Sequence, residues 1–318
     1  MFMPSEVSSL LQVDRDAIQR SMPGTSNKDK SMYVGFELNE YDELADQPQH
    51  KIAEFKNQAK GRYDDLSSYL IGVIENKKVI DAQKIADHIF PIHEADVFLS
   101  HSHEDEDRAI ELAVSLQDKG LTVFVDSCVW GYFHNLLDDL NEVYAQPVRT
   151  DDQTIYNYRK ATDLTAGVHM MLTGALHTMI KRSEVFIFLN TDSSVPLEAY
   201  QSFDRTFSPW IYSELQFSFH VENEIPKRRL QVANESYDDT KHLTKSIASV
   251  QSDALLAFKT FNRHLPKVTG TQMQDWYSRC HRASGELTRG EVAMDALYDT
   301  LDIVQRFGRL KYRPNKSA

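Results

Sequence analysis

One pair of residues combines an aromatic ring and a carboxylate at helical spacing. Trp210 and Glu214 stand four positions apart, just after Ser208-Pro209, a capping serine and a proline of the first helical turn. Residues four apart project from one face of a helix, so the indole and the carboxylate are expected to line one pocket. Glu214 is therefore the first candidate for a catalytic group, because a carboxylate can stabilise a positive charge that develops during a reaction.

Each of these two residues also has a simpler interpretation. An arbitrary glutamate on an amphipathic helix is usually a solvated charge, and an aromatic residue in the first helical turn usually packs. Motifs elsewhere in the chain are needed to decide between these interpretations.

A second polar group invites a different chemistry. The run from His101 to Asp105, His-Ser-His-Glu-Asp, resembles the metal-binding loop of metallo-β-lactamase-type hydrolases, but Glu106 stands where that family has a histidine. The further ligands would have to come from predicted helices: His169, His177 and His220. We favour a polar loop that begins the helix at Asp105, so no metal ligands are predicted.

Other catalytic and cofactor motifs are missing from the sequence. It contains neither a Gly-x-x-x-x-Gly-Lys-Ser/Thr phosphate loop nor a Gly-x-Gly-x-x-Gly fingerprint, which disfavours ATP hydrolysis and redox use of NAD. Ser193-Ser194 lacks the Gly-x-Ser-x-Gly surroundings of a nucleophilic serine. No cofactor is predicted.

The elements that would position the candidate residues form a βαβ pattern. Ala95–Ser100 reads as a strand, Asp105–Lys119 as an amphipathic helix that Gly120 ends, and Leu121–Val125 as a second strand. Functional groups of parallel sheets lie beyond the carboxyl ends of the strands. Ser100 to Asp105 and Asp126 to Gly131 are therefore expected at the rim of the sheet.

The rest of the chain divides into three predicted regions. Residues 1–92 form a lead, loosely ordered to about residue 30, and two or three helices ending at Pro91, with Asp81 as an N-cap. Residues 93–234 form an α/β domain, with an insertion at 130–168. Residues 235–318 form a helical region. The further predicted elements are a helix at Val168–Lys181, a strand at Glu184–Leu189, a helix from Ser208 to about Asn223, an edge strand at Lys227–Ala233, and helices at Asp239–Leu265 and Gln272–Phe307.

Composition indicates which binding partners and which cellular compartment to expect for this protein. The formal net charge of -12 opposes binding to a nucleic-acid backbone. No stretch approaches the roughly 20 apolar residues of a membrane span, and the start of the chain lacks a signal-peptide pattern. With only two cysteines, the chain is expected to work in the reducing cytoplasm, away from membranes and nucleic acid.

Four motifs in order resemble the bacterial branch of the Toll/interleukin-1 receptor (TIR) family. They are Asp96-Val-Phe-Leu-Ser-His-Ser-His-Glu-Asp105, Gly120-Leu-Thr-Val-Phe-Val-Asp126, Ser183-Glu-Val-Phe-Ile-Phe-Leu-Asn190 and Ser208-Pro-Trp-Ile-Tyr-Ser-Glu214. The resemblance covers roughly Glu94 to Ala233 and implies a flavodoxin-like parallel sheet. The 130–168 insertion departs from the compact family pattern.

The resemblance also implies an activity. Enzymatic members of the family cleave the nicotinamide–ribose bond of NAD+, releasing or cyclising ADP-ribose, with their glutamate in a Trp-x-x-x-Glu arrangement that Trp210 and Glu214 match. The family pattern places Phe98, Ser100 and Asp126 against the substrate. NAD+ would be a substrate rather than a cofactor, self-association through the TIR-like domain is expected, and bacterial relatives often act in stress or phage defence.

Two other functions stay open at this point. One is an interaction module that assembles through its TIR-like surface, in which Glu214 is incidental. The other is an enzyme like the nucleoside deoxyribosyltransferases, which share a flavodoxin-like sheet and a glutamate nucleophile but release a base from a nucleoside.

Overall fold

Five short strands form one all-parallel sheet at the centre of this computed structural model. The structure describes residues 31–39, 47–59, 69–74, 77–90, 95–150, 153–195, 205–229, 256–280 and 288–311. In spatial order the strands of the sheet are β11 (Lys267–Thr269), β1 (Val34–Asn39), β8 (Val185–Leu189), β4 (Val97–Ser100) and β5 (Val123–Val125). The predicted α/β class with a parallel sheet is confirmed.

The interior strands are apolar because helices and loops cover both of their faces. All five residues of β8 and all four of β4 are buried. This burial explains why these strands appear in the sequence as continuous apolar runs rather than as an alternation of apolar and polar residues. The predicted strands at Ala95–Ser100, Leu121–Val125 and Glu184–Leu189 are all present, each shorter than predicted.

The helices surround this sheet and fill much of the predicted insertion. The helices of the described residues are α1 (Gln49–Ala59), α2 (Ala82–Ile89), α3 (Glu106–Gln117), α4 (Ser127–Tyr144), α5 (Tyr158–Arg182), α6 (Pro209–His220), α7 (Gly270–Arg279), α8 (Arg289–Leu301) and α9 (Ile303–Lys311). The 130–168 insertion contains most of α4 and the first turns of α5, so the helix predicted from Val168 begins ten residues earlier. The weak periodicity of this segment conceals both helices.

Short antiparallel pairs complete the described elements. They are β2 (Leu70–Ile74) with β3 (Lys77–Ile80), β6 (Val148–Arg149) with β7 (Thr154–Ile155), and β9 (Arg205–Thr206) with β10 (Phe258–Lys259). Helical spacing of apolar residues wrongly predicts a helix where β2 stands. The side chains of Ile71 and Val73 alternate with smaller or more buried residues and are largely exposed, which suits a hairpin.

Both flanks contribute a strand to the central sheet, which corrects the prediction of helical flanks around a 93–234 domain. Strand β1 comes from the predicted lead and helical region, yet it lies between β8 and β11. Strand β11 comes from the predicted C-terminal helical region and is the edge strand next to β1. The sheet is therefore not confined to residues 93–234. Parallel pairing between segments far apart in the chain leaves no local signal in the sequence.

The remaining predicted elements have mixed outcomes. The N-cap at Asp81 is confirmed, since its side chain accepts a hydrogen bond from the backbone N–H of Lys84. In the C-terminal region, Leu297, Leu301 and Phe307 are buried and Val304 packs against the core. Lys227–Arg229, the described part of the predicted edge strand, forms a short 3-10 helix. The loosely ordered lead to residue 30 and most of the helix predicted at Asp239–Leu265 lie outside the described residues; its last part, from residue 256, is not helical.

The search for membrane-spanning helices gave a negative result for the part of the chain that the structure describes. None of its helices combines the length and the apolar character that a bilayer crossing needs.

The place of β1 in the core generates the first prediction. Leu38 is fully buried and pairs in register with Leu189 and Val268, so Leu38→Ala should lower the free energy of unfolding by about 2–5 kcal/mol. Leu256→Ala is the matched control: this leucine is 52% exposed, and its loss should cost less than about 1 kcal/mol. Urea denaturation measures both. Equally small losses of unfolding free energy in the two variants would contradict the placement of β1 inside the central sheet.

Candidate functional site

Residues from three elements meet where the chain changes direction across the sheet. Strand β4 lies between β5 and β8. The chain runs from β4 to β5 on one side and then crosses back past β4 to β8 on the other side. Ligands of open α/β sheets bind outside the carboxyl ends of the strands at such a reversal. Ser100 is the last residue of β4, and Asp126 directly follows β5.

Helix α6 delivers the third residue, Glu214. Ser208 caps the helix by accepting a hydrogen bond from the Ile211 backbone N–H at 3.3 Å, and Pro209 occupies the first turn. The face of α6 that carries Ile211, Glu214 and Leu215 is buried. Glu214 is fully buried, and its Oε2 accepts a hydrogen bond of 2.6 Å from the Ser100 hydroxyl. Its other carboxyl oxygen, Oε1, is buried as well.

The surroundings of Glu214 favour its protonated form. Burial raises the pKa of Glu214 well above its ordinary value, and the neighbouring Asp126 carboxyl raises this pKa further. The hydrogen bond from Ser100 acts in the opposite direction and stabilises the carboxylate. Glu214 and Asp126 thus form a pair of interacting carboxyl groups at the sheet edge, and Glu214 keeps its proton at pH values where an exposed glutamate would lose it.

His101 lies on the other side of Asp126. Its Nδ1 is 2.9 Å from Asp126 Oδ1, an ion-pair distance. Both side chains are buried. Burial opposes a charge on the imidazole, but the attraction to Asp126, the hydrogen bonds to Asp126 and to the Leu99 backbone, and the charge of Asp105 together outweigh burial, so the pKa of His101 is raised.

Trp210 lies one turn before Glu214 and belongs to an aromatic stack between helices. Its ring centroid is 5.5 Å from that of His169 on α5, and the His169 ring is 4.9 Å from that of Phe133 on α4. Trp210 is half-buried. These ring contacts join α4, α5 and α6 one helical turn before Glu214.

Phe98 is separated from this group by its packing. Its ring is fully buried between Phe124 and Phe186, with centroid distances of 5.3 and 5.8 Å. The structure thus brings together Ser100, Asp126 and Glu214 of the predicted site residues. It places Trp210 one helical turn before Glu214, in ring contact with His169, and Phe98 inside the sheet's aromatic core.

The histidine-rich segment after β4 does not converge on one point. The His101 side chain is buried, whereas that of His103 is 84% exposed. Asp105 is buried and accepts a hydrogen bond from the Thr191 hydroxyl, which ties this loop to the loop after β8. Within the described ranges, no group of three or more His, Cys, Asp or Glu side chains is arranged to hold a metal ion.

Two polar residues near this edge escape prediction from the sequence. The sequence presents His101 only as a possible metal ligand, although its position directly after Ser100 is a usable signal. Glu37 on β1 is buried and accepts hydrogen bonds from the amides of Asn190, at 2.7 Å, and Asn262, at 3.0 Å. The one sequence feature that could have indicated Glu37 is its charge within an otherwise largely apolar run.

Access to the carboxyl pair requires a structural opening. Ser100, Asp126 and Glu214 are each at most 3% exposed. A substrate could touch Glu214 only after a displacement of the segments that cover it.

Comparison with known proteins gave no match. No protein-family model matches the chain, and the searches of curated proteins and of solved structures found no match.

Burial of Glu214 has a measurable consequence for stability. In the unfolded chain Glu214 ionises near pH 4.5, whereas in the folded protein it stays protonated to higher pH. The free energy of unfolding is therefore highest below pH 4.5 and decreases as the pH rises through the window from 4.5 to the pKa of Glu214 in the folded protein. Glu214→Gln removes this loss. The variant should gain about 1.4 kcal/mol over the wild type for each pH unit within the window.

Urea denaturation at several pH values between 4.5 and 8 measures this difference. Glu104→Gln is the matched control, because Glu104 is exposed and its variant should follow the wild type at every pH. A wild type and Glu214→Gln with parallel stability curves would show that Glu214 ionises normally in the folded protein.

Proposed function

We propose that this protein is an enzyme that breaks the N-glycosidic bond between nicotinamide and ribose in NAD+, with Glu214 as the catalytic residue. The observation that carries the proposal is the position of the Glu214 carboxyl. It is hydrogen-bonded to Ser100 and adjacent to Asp126, at the reversal point of a parallel sheet. The TIR-type motifs of the sequence support the same assignment, and we extend the proposal to a TIR-type domain.

The chemistry requires an anion but no acid. When the bond from ribose C1′ to the pyridinium nitrogen breaks, its electron pair leaves with nicotinamide, which departs as a neutral molecule. Positive charge then develops on the ribose, and the Glu214 carboxylate stabilises it. Addition of water to C1′ yields ADP-ribose and a proton, while attack by a ring nitrogen of the adenine yields a cyclic product.

The protonated resting state of Glu214 fits a cationic substrate. Binding of NAD+ would bring the positive nicotinamide ring next to the carboxyl, and an opposite charge within about 4–6 Å favours the ionised form. The proton would pass from Glu214 to solvent water as the site opens and the substrate enters. Ser100 would then hold the carboxylate through its hydroxyl.

One observation favours a second candidate, a nucleoside deoxyribosyltransferase-like enzyme. A neutral nucleobase leaves readily only when it is protonated, so cleavage of a nucleoside uses an acid as well as a nucleophile. Glu214 and Asp126 could supply both roles, as pairs of carboxyl groups do in glycoside hydrolysis. The third function, a TIR-like assembly module, would leave the carboxyl pair without a chemical role.

Measurement of NAD+ consumption with product analysis tests the first proposal. Wild-type protein at high concentration should release nicotinamide, and Glu214→Ala should lower the rate at least about 100-fold, since it removes the group that stabilises the charge. Glu104→Ala is the matched control and should keep the wild-type rate. Concentrated protein is needed because we also propose that self-association completes the site.

The outcomes separate the three functions. Release of bases from nucleosides, with NAD+ untouched, would favour the deoxyribosyltransferase-like enzyme. Equal, negligible turnover by the wild type and Glu214→Ala on both substrate classes, even in self-associated protein, would leave the assembly module. Circular dichroism of each variant checks that the fold is retained.

A further inference from the structure

We propose that His101 is a positioning residue of this site, which sets the charge of the Asp126–Glu214 pair from behind Asp126. The inference rests on the proposed function for its catalytic meaning, although the electrostatic coupling itself can be measured without any substrate.

The end of β4 contacts both members of the carboxyl pair. Ser100 donates its hydrogen bond to Glu214, and the next residue, His101, places Nδ1 2.9 Å from Asp126. The two carboxyl groups therefore lie between a hydroxyl that acts on one and an imidazole that acts on the other. A change of charge on His101 must reach Glu214 through Asp126.

The charges around His101 have a consistent direction. Asp126, after β5, and Asp105, before α3, are the acidic groups that face the imidazole, and both favour its charged form. Glu214 on α6 lies beyond Asp126. An imidazolium here stabilises Asp126 as a carboxylate and lowers the energy of a second negative charge on Glu214.

The burial of His101 beside an acidic group indicates an electrostatic role. Its side chain is fully buried, and its Nδ1 lies 2.9 Å from the buried Asp126 carboxyl. Burial of an ionisable group is unfavourable unless a charged or hydrogen-bonding partner compensates for it, and Asp126 is such a partner. An apolar residue at this position would leave the Asp126 carboxyl without this imidazole.

The variant His101→Gln removes the charge while retaining a polar side chain. Loss of the imidazolium should make the carboxyl pair hold its proton more tightly, so the ionisation of Glu214 should move to higher pH by about one unit. His103→Gln is the matched control, since this histidine is two residues away and 84% exposed. It should leave the ionisation unchanged.

Carbon-13 NMR of protein labelled at the glutamate carboxyl carbon measures this without substrate. The Glu214 signal is assigned by its loss in Glu214→Gln, and its titration is followed in the wild type and in both histidine variants. A midpoint that is the same in all three proteins would overturn the proposal.

A second measurement covers a His101→Gln protein that fails to fold. In Asp126→Asn the imidazole loses its main carboxylate, so burial prevails and NMR should find that His101 ionises at lower pH than in the wild type. An unchanged midpoint would overturn the proposal.

The pH profile of NAD+ cleavage then separates the two proposals. His101→Gln should shift the acidic limb to higher pH, and His103→Gln should not. Cleavage with unshifted profiles would overturn the role of His101 and leave the proposed function intact. Absence of cleavage together with the NMR shift would overturn the proposed function and support the coupling.

Discussion

The burial of one carboxyl group, that of Glu214, is the constraint around which the described site is organised. A carboxyl without water is tolerated only when it is neutral or has polar partners. Glu214 has both a hydroxyl donor, Ser100, and a neighbour that favours protonation, Asp126. These partners come from two different strands, so the site exists only when α6 docks on the ends of β4 and β5.

This arrangement ties chemistry to the core of the fold. Ser100 lies opposite Phe188 in the sheet register, and Phe188 lies opposite Glu37 on the next strand. Residues in register on parallel neighbours project from the same face, so a buried hydroxyl and a buried carboxyl flank one buried aromatic ring. Glu37 in turn holds the amides of Asn190 and Asn262. The polar groups at this edge therefore also join β1 to the loop that follows β8 and to the segment that precedes β11.

A closed site in which burial favours the protonated form of Glu214 has a cost and a benefit. Its cost is the stability lost when a buried acid is kept neutral at a pH where the unfolded chain would ionise it. Its benefit is that ionisation of Glu214 depends on what enters the site. Burial disfavours the carboxylate, and the positive charge of a cationic ligand favours it. Under the proposed function, such a site would be inactive until it is opened and occupied.

The sequence by itself determined the local elements around the site. The apolar runs predict β4, β5 and β8, and the Ser208-Pro209 pair predicts the start of α6. The motifs at the ends of these elements also select Ser100, Asp126 and Glu214, which the fold then brings together. Local signals suffice here because turns, caps and apolar runs act over a few residues.

Only the tertiary structure decided which strands complete the sheet and which residues touch. The sequence assigns β1 and β11 to helical flanks, because parallel partners distant in the chain impose no pattern on each other's sequence. It places Phe98 against a substrate, but the rings of Phe124 and Phe186 pack against this side chain in the core. The pairing of His101 with Asp126 likewise depends on the separation of two strand ends in space, a distance that no local pattern encodes.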